Sequence, residues 1–174
     1  EGVVNIEAPT ANNKGTANLE LPIQIPTGRL GMQPNLSIQY NSSVSNGLLG
    51  QGWDISVPAI TVETRWGVPR YNATNETESY LLAGEELIPQ VQRDGYLPRN
   101  ASGTKEFFPK VEGVFNKIIR YGNTPKNYYW IVTDKNGIKY YYGNETGSTL
   151  TSDDGNIAHW ALTKVEDLNG NFVQ

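Results

Sequence analysis

Tyr128-Tyr129-Trp130-Ile131-Val132-Thr133, then Asp134-Lys135-Asn136-Gly137, then Ile138-Lys139-Tyr140-Tyr141-Tyr142: residues 128–142 decide the fold class. Two runs of β-branched and aromatic residues flank a turn whose Asn-Gly step tolerates the positive φ that tight hairpins demand, so the stretch is predicted to be a β-hairpin. Downstream, Trp160–Glu166 reads as a strand that ends at the turn Asp167-Leu168-Asn169-Gly170-Asn171. Phe172-Val173-Gln174 then looks like the opening of another strand.

Upstream the same period recurs. Leu19, Leu21, Ile23 and Ile25 alternate with Glu20, Pro22 and Gln24, the signature of a half-buried strand, and Pro22 argues for an edge position. Pro26-Thr27-Gly28 punctuates, and Asn35–Asn41 repeats the alternation with Leu36, Ile38 and Tyr40 on one side. Residues 41–53 read as a loop that ends in a core-covering Trp53. Ile55, Val57, Ile60 and Val62 read as a strand broken at Pro58. Tyr80–Ile88 is a weakly patterned apolar run, Phe107–Tyr121 is predicted to be two short strands, and the polar, acidic Asn72–Glu78 is predicted to be an exposed loop. No segment keeps apolar residues at helical spacing over three turns. The predicted class is therefore all-β, with antiparallel sheets and hairpins.

The 174 residues suffice for one domain with a real core, and 18 Gly and 10 Pro suit a chain of many turns. With a formal net charge of -4 and its Lys and Arg scattered, the chain offers no electrostatic footprint for nucleic acid. There is no apolar run long enough to span a bilayer and no basic, then apolar, leader, so direct membrane insertion is not expected. With no Cys, disulfides and cysteine metal sites are excluded. The chain does not begin with Met, and we read it as a piece of a longer polypeptide.

Several blocks, read in order, resemble the SpvB-type domain, the N-terminal domain of the SpvB and Tc insecticidal toxin B-component family. They are Pro26-Thr27-Gly28-Arg29; Pro34 with residues 36–42; Asn46-Gly47-Leu48-Leu49-Gly50-Gln51-Gly52-Trp53; Gly67-Val68-Pro69-Arg70-Tyr71; Leu81–Pro89; and Trp130–Gly137 leading into Tyr140–Gly143. The similarity runs from about Leu19 to the C-terminus, which divides the chain into a lead segment, 1–18, and a β-domain, 19–174, that is expected to continue further. Leu48-Leu49 and Gln51 depart from the family pattern, and residues 90–105 match no block.

Such a resemblance implies a non-catalytic segment of a secreted bacterial toxin, part of a large β-shell related to the Rhs and YD-repeat cocoons. That shell encloses or delivers a C-terminal toxic payload. The implied partners are adjacent segments of the same polypeptide and other toxin-complex subunits. The ADP-ribosyltransferase of SpvB lies in a separate C-terminal domain, so no catalytic residue is carried over, and no cofactor is expected.

The residues themselves agree. His159 is the only histidine, and neighbouring carboxylates at Glu85-Glu86 and Asp153-Asp154 would point to opposite faces of a strand. Asp153-Asp154-Gly155-Asn156 and Asp167–Asn171 offer oxygen ligands that Ca²⁺ uses, but lack the later Glu of a calcium loop and fit plain turn chemistry better. Gly47, Gly50 and Gly52 precede neither a Lys-Ser/Thr pair nor a helix, as a phosphate loop would require. Tyr128, Trp130, Tyr140 and Tyr142 are the candidate interaction surface. On the two arms of one hairpin they are read either as packing against the next part of a shell or, alternatively, as a platform for sugar rings.

Overall fold

The computed structural model describes residues 10–11, 16–24, 36–43, 46–47, 49–65, 67–90, 98–99, 103–110 and 115–174. The punctuation at Pro26-Thr27-Gly28, and Ile25, Pro34, Asn35, Leu48, Val111 and Gly113, lie outside these residues. All regular structure among the described residues is strand, and every pairing is antiparallel. Two compact units form, residues 1–58 and 59–174.

In the first unit, β1 (Thr10–Ala11), β2 (Ala17–Ile23), β3 (Leu36–Asn41), β4 (Asn46–Gly47), β5 (Gly50–Gln51) and β6 (Trp53–Ser56) form one sheet in the order β1-β2-β3-β6-β5-β4. β1 and the start of β2 fall within the stretch expected as a lead segment. β2 carries the expected alternation: Leu19, Leu21 and Ile23 are half-buried, while Asn18, Glu20 and Pro22 are exposed. β1 pairs with Ala17 and Asn18, so β2 has a neighbour on each side there instead of the expected edge position, and Pro22 lies opposite Ser37 of β3. Trp53 lies opposite Tyr40, their ring centroids 4.9 Å apart.

The second unit contains β7 (Ala59–Val62), β8 (Tyr80–Leu82), β9 (Glu85–Pro89), β10 (Thr104–Pro109), β11 (Phe115–Tyr121), β12 (Tyr129–Asp134), β13 (Lys139–Tyr142), β14 (Thr149–Thr151), β15 (Ile157–Glu166) and β16 (Phe172–Val173). Strands β7 to β13 pair in succession. The long β15 then pairs with β7 through His159–Ala161 and with β13 through Leu162–Glu166, which closes eight strands into a barrel. β14 and β16 extend the ladder on β15. The break at Pro58 separates β6 from β7, as read from the sequence, and Phe107–Tyr121 does yield two strands.

Three hairpin turns share one backbone design. Asp134 N–H donates to Ile138 O and Gly137 N–H to Asp134 O; Ser152 with Asn156 and Gly155, and Asp167 with Asn171 and Gly170, repeat both bonds. In each, the glycine stands at φ near +80°: Gly137 at 81°, Gly155 at 79° and Gly170 at 80°. A type I turn followed by a left-handed residue is the ordinary way to close such a loop, and it is what selects Gly there.

Strand alternation fills the barrel. Ile60, Val62, Tyr80, Leu82, Leu87, Phe107, Ile118, Trp130, Val132, Tyr142 and Trp160 all point inward and form one buried cluster. The rings of Tyr80, Phe107, Trp130 and Trp160 meet edge-on or tilted at centroid distances of 4.9–5.8 Å, the arrangement their quadrupoles favour. The barrel therefore holds a packed core.

Candidate functional site

Inside that core sits a charge. Ile118 and Arg120 occupy successive inward positions of β11, and the Arg120 side chain is 1% exposed. Its guanidinium lies 3.8 Å from the centroid of Tyr128 and 5.4 Å from those of Tyr80 and Phe107. It forms an ion pair with Glu76 and donates to the Tyr80 hydroxyl at 2.9 Å, and Tyr80 donates to Glu76 at 3.0 Å. Lys105 also pairs with Glu76. Alongside, Glu78 is bound by Arg99 at 2.8 Å, and Arg99 reaches the Tyr128 hydroxyl at 3.1 Å and the carbonyl of Asn72 at 2.8 Å.

The expected exposed loop at Asn72–Glu78 is thus corrected: the side chains of Glu76 and Glu78 are 2% and 0% exposed. A buried carboxylate persists only if it is paired and hydrogen-bonded, and four cationic or phenolic partners do that here. Burial pushes the Glu76 carboxyl up, but the hydrogen bonds and charges of Arg120 and Lys105 outweigh it and hold it below its ordinary value. Tyr80 is pushed well above the usual phenol range, chiefly by burial.

The candidate interaction surface is corrected in the same way. Tyr128, Trp130 and Tyr142 are at most 2% exposed, and Tyr140 packs against the same cluster, so these four rings line the core side of the hairpin. The Trp160 indole N–H donates to the Tyr128 carbonyl at 2.6 Å, tying hairpin and closing strand together. Burial raises the phenols of Tyr140 and Tyr142.

The other face of the hairpin carries its own tyrosines. Tyr121 and Tyr129 pair across β11 and β12 with rings stacked at 5.0 Å and 11° between planes, and Tyr141 lies on the same side beneath Lys164. Alternation alone, counted one residue out of step from Trp130, would have found them.

The remaining sequence candidates stay apart. His159 is half-buried on β15 between Thr61 and Leu150, and burial lowers its pKa. Glu86 pairs with Lys110 at 3.0 Å, while Asp153 and Asp154 are exposed turn residues. In the Asp167–Asn171 turn one carboxylate oxygen accepts the N–H groups of Asn169 and Asn171 and the other accepts the Asn171 amide, so the turn itself uses the oxygens that calcium would need. Among the described residues no group of three His, Cys, Asp or Glu is placed to hold a metal. Gly50 lies in β5, next to β6.

Fold and site define an all-β, antiparallel protein whose second unit is a closed barrel, locked from within by buried ion pairs. The family model described as SpvB, Salmonella virulence plasmid 65kDa B protein, matches residues 11–174. The chain belongs to the SpvB family. It is 28% identical over 167 residues to the mono(ADP-ribosyl)transferase SpvB of Salmonella typhimurium, a match covering 88% of this chain and 27% of that relative. The chain thus spans about a quarter of the length of its curated relatives. Its fold is similar to the N-terminal domain of effector protein SpvB from Salmonella typhimurium strain LT2, with a TM-score of 0.64, 25% identity, and coverage of 86% of this chain and 50% of that one. It also matches the crystal structure of TcdB2-TccC3, with a TM-score of 0.69 and 23% identity, over 99% of this chain and 9% of that one.

Proposed function

We propose that the chain is a non-catalytic structural and interaction module of a secreted bacterial toxin, contributing to a β-shell that encloses or delivers a toxic payload carried further along the polypeptide. Its mechanism is burial of surface against neighbouring segments of the same polypeptide and against other toxin-complex subunits. The observation that carries this reading is a contrast between the two sides of the barrel wall. Inside, the wall is filled by Trp130, Trp160, Tyr80 and Arg120, a packed interior suited to mechanical support. Outside, Ile88 and Phe108 lie directly opposite each other on β9 and β10, 38% and 44% exposed. An apolar cross-strand pair facing outward suits a covering segment. The coverage of the relatives agrees, since the SpvB proteins named as transferases extend far past the matched region.

The test is the double substitution Ile88→Asp and Phe108→Asp in the full-length parent polypeptide. The 174-residue chain should stay folded, losing on the order of 1–2 kcal/mol in urea denaturation because the two carboxylates then face each other across the strands. The parent should be cut by protease faster than wild type. An unchanged digestion pattern would overturn the shell reading.

A further inference from the structure

The outer face of β11–β13 carries an aromatic row that ends beside Gly143. Tyr121 stacks on Tyr129, and continuing the β12–β13 register one step past Trp130–Tyr142 places Tyr129 across from Gly143. Gly143 offers no side chain there. It is held to glycine by φ +71° and by Trp160, whose Cδ1 would lie 2.2 Å from an added Cβ. Beside Tyr129 lies a concavity of about 560 Å3 whose lining sets Ile131, Ile157 and Tyr141 next to Lys126, Asn127, Asn144 and Thr149.

We infer that this concavity is a subsite for a single pyranose ring. A pyranose presents an apolar C–H face and a rim of hydroxyls. Tyr129, its opposite ring face already covered by Tyr121, is a rigid platform for the first, and the surrounding amides, ammonium and hydroxyl are donors and acceptors for the second. The platform is pre-organised on both sides. Asn127 Oδ1 accepts the backbone N–H groups of Asn123 and Thr124 at 3.0 and 2.9 Å, which fixes the amide, while its NH2 group takes no part in those bonds. Asn144 is held by the Thr163 hydroxyl. A concavity rimmed by amides, an ammonium and a hydroxyl fits a sugar better than an apolar side chain from a covering segment, because the latter would strand those polar groups. This subsite lies on β11–β13, away from the Ile88–Phe108 pair, and does not depend on the shell reading.

The test is saturation-transfer NMR on the 174-residue chain with three probes: methyl β-galactopyranoside, methyl α-mannopyranoside and N-acetylneuraminic acid, each at millimolar concentration. Transfer to the ring protons of at least one probe is expected. Tyr129→Phe should retain it and Tyr129→Ala should weaken it roughly ten-fold. Should Tyr129→Ala fail to fold, the exposed pair Lys126→Ala and Asn144→Ala must weaken transfer by itself. Absence of transfer from all three probes, or transfer untouched by these substitutions, would overturn the subsite and leave the concavity as a place for a protein side chain.

Discussion

Glu76 and Arg120, 44 positions apart in the chain, form an ion pair in the interior of the barrel with Tyr80 hydrogen-bonded to both. The pair joins β11 to the irregular segment ahead of β8, and that segment lacks the strand ladder that holds the wall. Removing Glu76 leaves the Arg120 charge buried among aromatic rings, and removing Arg120 leaves Glu76 buried with Lys105 as its one remaining cationic partner among the described residues. Glu76→Leu and Arg120→Met are each expected to destabilise by about 3–5 kcal/mol, whereas the double substitution should cost less than the sum. Urea denaturation of the four proteins checks this. Additive losses would mean that the two groups act independently.

Acid should unlock the same pair. The Glu76 carboxyl lies below its ordinary value of 4.5 in the folded chain, so the folded state binds fewer protons than the unfolded one as pH falls. Its contribution is complete above that ordinary value and is lost as pH drops through the lower folded value. The stability gap between wild type and Glu76→Gln should therefore be wide at neutral pH and narrower at about pH 3. Urea midpoints at both pH values decide it, and a gap that stayed constant would contradict the assignment.

Gly143 combines a left-handed backbone with the close approach of Trp160. Gly143→Ala should cost at least about 2 kcal/mol, from the unfavourable φ and from overpacking against the indole. Gly147, with φ +82° but open space around its missing Cβ, is the control: alanine there should cost only the backbone part. Thermal melts of the two variants should separate clearly.

The Asp134 carboxylate accepts the backbone N–H groups of Asn136 and Ile138, both within 2.9 Å. Asp134→Ala should lower stability by about 1–2 kcal/mol, and Asp134→Asn, which keeps an acceptor oxygen, by less than half of that. Equal losses in the two variants, measured by urea denaturation, would show that the turn rests on the negative charge instead.

Period-two alternation made the strands legible because each wall has one wet and one dry face, and the Asn-Gly and Asp-containing turns marked where strands reverse. Closure into a barrel was not legible: it rests on β15 pairing with β7 a hundred residues earlier in one half and with β13 in the other, and pairings at that separation leave no local pattern. Nor was the buried pair. Glu76 and Glu78 sit in a stretch with no periodicity and an acidic composition, which reads as solvated until their cationic partners, far along the chain, are placed beside them. A sign did exist in Arg120, which follows Ile118 on the inward face of a strand where only a paired cation belongs. The hairpin aromatics show the same limit. Alternation tells which of them share a face, but the closed sheet decides that Trp130 faces in and Tyr129 faces out.

The most direct test of the shell account uses the absence of cysteine from the sequence. Phe108→Cys places one thiol in the chain, on the outward face, and its rate of reaction with a maleimide can be compared between the 174-residue chain and the full-length parent carrying no other reactive thiol. The account predicts rapid labelling in the chain alone and labelling at least roughly ten-fold slower in the native parent, where a neighbouring segment covers the position. Equal rates in the two would contradict it.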